Sequence, residues 1–107
     1  MSTFDDRQAA FEAKFARDDE MQFKVAARRN RLLGHWAAGL MSLTPEEADA
    51  YAKDVVRADF EEAGDEDVVR KLLGDITSAG IEIDDARIRA MMGEKTIEAR
   101  RQLMESM

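Results

Sequence analysis

Thr44-Pro45-Glu46-Glu47-Ala48-Asp49-Ala50-Tyr51-Ala52-Lys53-Asp54-Val55-Val56 is the stretch that decides the fold. Thr44 is a helix cap, Pro45 takes the first helical position where its missing N–H costs nothing, and Glu47 can close a capping box. Behind this start Ala48, Ala52, Val55, Val56, Phe60 and Ala63 recur at helical spacing and form one apolar face. Gly64 then stops the pattern. The segment therefore reads as an amphipathic helix that must lay its face on something.

Its neighbours have the same period. Before it, Met21, Val25, Leu32, Leu33, Trp36, Ala37 and Leu40 mark a longer helix, with Asp18 or Asp19 as its cap. After it, Asp65 opens a short helix with Val68, Val69, Leu72, Leu73 and Ile76 inward. Gly80 ends that one, and Ile81 stands ready for the apolar contact that follows a glycine cap. Asp84 or Asp85 starts the last, which carries Ile88, Met91, Met92, Ala99 and Leu103. No run alternates with the period of a strand. Short links make successive helices antiparallel neighbours, so the expected fold is all-α: a small antiparallel four-helix bundle over residues 18–107.

Composition agrees. The 107 residues suit one domain, with 45% apolar and 36% charged side chains and a single proline. A net charge of −7 argues against nucleic acid as a partner, because neutralising phosphates needs clustered Lys and Arg. Cysteine is absent, which removes disulfides and thiolate metal sites and suits a cytoplasmic setting. The acidic start is neither a secretory nor a transit peptide, and no apolar run is long enough for membrane insertion.

Residues 1–17 stand apart from this bundle. Phe4, Phe11 and Phe15 would fall within an arc of about 40° on a helix, while Asp5, Asp6, Arg7, Glu12 and Lys14 cover the rest. A helix this short is marginal in water, so the segment is expected to be mobile or marginally helical until its stripe finds a groove. The acidic run Asp18-Asp19-Glu20 separates the stripe from the first bundle helix. Two homes are open: the rings fold over the bundle as a satellite cluster, or they anchor the segment in another protein's groove.

These residues also carry a resemblance. Thr3-Phe4-Asp5-Asp6-Arg7 and Phe11-Glu12-Ala13-Lys14-Phe15-Ala16 resemble the zeta subunit of alphaproteobacterial F-type ATP synthases. So do Phe23-Lys24, Ala27-Arg28-Arg29-Asn30, Leu32-Leu33-Gly34 and Trp36-Ala37-Ala38, with a weaker match from Gly64-Asp65-Glu66-Asp67-Val68 to Arg70-Lys71-Leu72. The resemblance implies a non-enzymatic inhibitor of ATP hydrolysis, cytoplasmic and peripheral to the inner membrane through the synthase. In that family an N-terminal segment inserts at a catalytic α/β interface of the head, near the central rotor, and blocks rotation. Here the inserting residues would be Ser2 to about Arg17, with the three rings as anchors and Asp5, Asp6, Arg7, Glu12 and Lys14 as a polar rim.

Polar residues on apolar faces offer a different reading. Arg29 sits among Val25, Leu32, Leu33 and Trp36, and Asp59 among Ala52, Val55 and Val56. If both point inward they must pair or share a hydrogen-bond network. The functional alternative is an interhelical pocket at Arg29, Trp36 and Asp59 for a nucleotide or other small anion, though no glycine-rich phosphate loop accompanies it. His35 reads as a surface residue, and Asp65-Glu66-Asp67 as a helix start rather than a calcium loop. Met91, Met92, Met104 and Met107 read as core filling with a frayed end. No nucleophile–base pair, metal set or cofactor motif suggests catalysis.

Overall fold

A computed structural model describes residues 19–59 and 64–106, and these hold four helices and no strand. They are α1 (Asp19–Leu40), α2 (Pro45–Ala58), α3 (Glu66–Ser78) and α4 (Asp85–Glu105). Phe4, Phe11, Phe15 and their polar neighbours lie outside the described residues, as do Asp18, Phe60, Ala63 and Met107.

Each turn follows from a local sequence signal. At the start of α2 the Thr44 N–H donates to Glu47 Oε1 at 2.9 Å, and the Glu47 N–H returns to Thr44 Oγ1 at 3.2 Å. Asp84 caps α4 by accepting from the Arg87 N–H at 2.8 Å. The end of α3 is a Schellman turn: Gly80 takes φ +84°, its N–H donates to the Thr77 carbonyl, and the Ile81 N–H donates to Ile76. Ile81 then packs against the core, as its place after the glycine predicts.

The end of α1 uses the same turn without a glycine. The Leu43 N–H reaches the Ala38 carbonyl at 3.0 Å and the Ser42 N–H reaches Gly39 at 3.3 Å, with Ser42 at φ +58°. Helix α2 is shorter than its apolar face suggested. It ends at Ala58, so Asp59 is the residue that caps it and not a mid-helix side chain.

Helix α1 is the hub, touching each of the other three, while α2 and α4 do not meet. Contacts of Arg29 with Asp59, Gly34 with Ala52 and His35 with Asp49 show α1 and α2 running antiparallel. Val25 clustering with Ala99 and Leu103, while Leu33 and Ala37 share the main core with Ile88 and Met91, does the same for α1 and α4. The main core gathers Leu33, Ala37, Val55, Val68, Leu72, Ile76, Ile88, Met91 and Met92, with Trp36 packed against it. A second cluster, Val25, Ala99 and Leu103 backed by Met21, Leu32 and Met104, comes from α1 and α4 alone. These two helices thus continue beyond the four-helix core as a two-helix arm.

Most expected core positions are inward. Leu40 is an exception, lying exposed in the last turn of α1, and Ala38 is buried in its place.

Candidate functional site

The one buried cation of the described residues is Arg29, and α1 carries it to where α2 ends and α3 begins. Its Nη2 lies 3.0 Å from Asp65 Oδ1 and 3.8 Å from Asp59 Oδ1. The nearer approach is an ion pair, and among the described residues Nη2 has no hydrogen-bond partner. Its Nε donates to Asn30 Oδ1 at 3.1 Å, and Asn30 is wholly buried. Arg29 therefore holds the cap residue of α2 and the cap residue of α3 with one guanidinium. Asp65 accepts no capping bond from its own helix, because its carboxylate is turned to Arg29.

The pairing of Arg29 with Asp59 was legible from their places on two apolar faces. Asp65 and Asn30 were missed as members. Asp65 read only as a helix start, and no sequence signal marked Asn30 as inward; its burial depends on the crossing of α1 with its neighbours. Trp36 is about 10 Å further along α1 and belongs to the main core. With two carboxylates already offsetting Arg29, its charge offers little to an incoming anion.

Other polar groups also tie helices to one another. Tyr51 on α2 donates to Asp75 Oδ2 on α3 at 2.8 Å, and Lys71 reaches the same oxygen at 3.0 Å. Burial first, then the bond to Asp75, raises the Tyr51 hydroxyl's pKa well above the ordinary phenol range, so it stays a donor. Glu66 receives Arg89 Nη2 on both oxygens, at 2.8 and 2.9 Å, which joins the start of α3 to α4; Arg89 also bonds to Asp85. Those bonds to Arg89 hold Glu66 below the usual carboxylate range. An open groove between α2 and α3 is lined by Asp54, Arg57, Ala58, Asp67, Arg70 and Lys71. Its charges are already matched locally, Arg57 with Asp54, Arg70 with Asp67 and Lys71 with Asp75.

Among the described residues no group of three or more His, Asp or Glu is placed to hold a metal, and no helix is long and apolar enough to cross a membrane. His35 is exposed on the α1–α2 edge, 3.4 Å from Asp49.

Comparison with known proteins shows the family to which this bundle belongs. A family model described as ATPase inhibitor subunit zeta matches residues 1–102. The chain belongs to the ATPase inhibitor zeta subunit family. A protein whose structure was solved in solution by NMR is similar at 47% identity with a TM-score of 0.72, over 81% of this chain and 99% of that one. No curated protein matches. Zeta-family membership supports an inhibitory role on F-type ATP synthase, and implies binding to that enzyme and a chain that is not itself a catalyst.

Proposed function

We propose that the chain inhibits ATP hydrolysis by inserting residues 1–17 at a catalytic α/β interface of the F-type ATP synthase head, against the central rotor. Residues 18–107 form the bundle that keeps this wedge from passing through. Phe4, Phe11 and Phe15 are the anchors, and Asp5, Asp6, Arg7, Glu12 and Lys14 form the rim. The chain then works in the cytoplasm, held at the inner membrane through the synthase.

One observation carries this reading: the family match starts at residue 1 and so includes the aromatic stripe that the bundle pattern leaves out. The physical argument agrees. Three rings on one line of a short segment bury apolar area only when a groove receives them, and ordering the segment on binding lets affinity be tuned by small changes.

Purified cognate heads hydrolysing ATP provide the test. The full chain is expected to slow them, and a chain lacking residues 1–17 to have no effect while its bundle melts as before. A melting temperature lowered by about ten degrees or more by that deletion points instead to a satellite core. Phe11→Ala with Phe15→Ala should weaken inhibition; full potency in that variant sinks the anchor role.

A further inference from the structure

The main core and the arm cluster share two helices but no side chain. Between them α1 and α4 turn polar at one level. On α1 that level is Arg29 and Asn30, after Val25 and before Leu33. On α4 it is Gly93 to Thr96, after Met92 and before Ala99. Each helix is weakened there for a local reason. Asn30 is wholly buried, yet among the described residues its Nδ2 has no hydrogen-bond partner, a cost that lasts only while the level stays closed. The Thr96 hydroxyl donates back to the Met92 carbonyl at 2.8 Å, a bond that competes with the helix's own ladder. Gly93 lowers helix propensity, and a Cβ on it would meet nothing within 4 Å, so packing does not require it.

We propose that the α1–α4 arm opens as a unit of its own, bordered by Arg29–Asn30 on α1 and Gly93–Thr96 on α4, while the four-helix core stays closed. Arg29 fixes the border on the core side, because its ion pairs pin α1 to Asp59 and Asp65 at the ends of α2 and α3. Beyond it, among the described residues, Val25 packs with Ala99 and Leu103, Met21 and Met104 lie beside them, and Arg28 donates to Gln102. Leu32 is the one member of that cluster on the core side of Arg29. The arm's ion pairs Lys24–Glu20 and Arg101–Glu105 each run along a single helix, so they do not bind the two helices together. Few apolar contacts give a low local opening free energy. Because the arm residues pack on one another and on nothing else, they lose their partners together. Fraying differs: it loosens each helix from its tip and has no border.

The test is native-state hydrogen exchange on the full chain, read by NMR, with Ile76→Val and Leu103→Ala beside the wild type. Corrected for intrinsic rates, wild-type amides of residues 23–28 and 99–104 should exchange at least about tenfold faster than those of 34–38, 70–76 and 89–92. Rates within the arm should be alike, with a step at the border. Ile76 is wholly buried in the main core, so Ile76→Val weakens the arm-open form as much as the closed one. It should speed the core amides about threefold or more and leave those of the arm unchanged. Leu103→Ala weakens only the closed form, so it should speed both sets about tenfold or more. Arm and core amides that respond alike to Ile76→Val overturn the proposal, since a single opening then exposes both. A smooth gradient from residue 19 with no step overturns it in favour of fraying. The measurement needs no synthase head, so its outcome leaves the wedge reading of residues 1–17 untouched.

Discussion

Gly34 faces Ala52 so closely that a Cβ built on it would lie 2.5 Å from the Ala52 Cα. Alanine is the better helix former, worth about 1 kcal/mol over glycine in a helix interior, so propensity alone favours the change. Sterics decide the other way, because the obstacle is backbone and cannot rotate aside. Gly34→Ala should destabilise the bundle by about 1–3 kcal/mol in a urea titration. Ser42 is the opposite case. It holds φ +58° as the turn residue after α1, and an L side chain is disfavoured there. Ser42→Gly should raise stability by about 0.5–1 kcal/mol, the relief of strain exceeding the entropy that glycine adds to the unfolded chain. A lower denaturation midpoint for that variant would show Ser42 making a contact worth more than its strain.

At the scale of elements, caps and apolar stripes account for where helices start and pack. The reciprocal bonds between Thr44 and Glu47 satisfy two donors that α2 leaves without helical partners. They also hold Glu47 below the usual carboxylate range, the bond to the Thr44 backbone first and its side chain second. Thr44→Ala should cost about 1 kcal/mol, read as a lower midpoint with an unchanged slope. Reading helix ends from the sequence worked where a cap residue marks them, as at Thr44, Gly80 and Asp84. It failed for α2, whose apolar pattern runs on through Phe60 although the helix stops at Ala58. Periodicity records which face can be buried, not where along it the helix stops.

For the whole molecule, acid is the informative stress. Glu66 and Glu47 titrate lower when folded than when unfolded, so the folded state binds fewer protons between the two values. Their contribution is therefore complete above the unfolded glutamate pKa of about 4.3 and fades as pH falls through the folded values. Urea midpoints should hold from neutral pH to about 5 and decline below about 4.3. Glu66→Gln should start lower at neutral pH and show a shallower acid decline. Equal slopes for the two proteins would mean that the Arg89–Glu66 link between α3 and α4 adds nothing to folding. Both groups are solvent-facing, so the effect is modest and shrinks with salt.

The sequence by itself determined the helices, the antiparallel order and nearly all of the core, because caps and 3.6-residue periodicity are local and each is written in a few neighbouring residues. The acidic break after Arg17 also led to the expectation that the aromatic stripe stands apart from the bundle, but that stripe lies outside the described residues. Tertiary structure alone decided that α1 is the hub, that Arg29 gathers Asp59 with Asp65, that Asn30 is buried and that Gly34 meets Ala52. Those outcomes depend on how helices cross, and a crossing is set by two faces at once, which no single stretch of sequence contains.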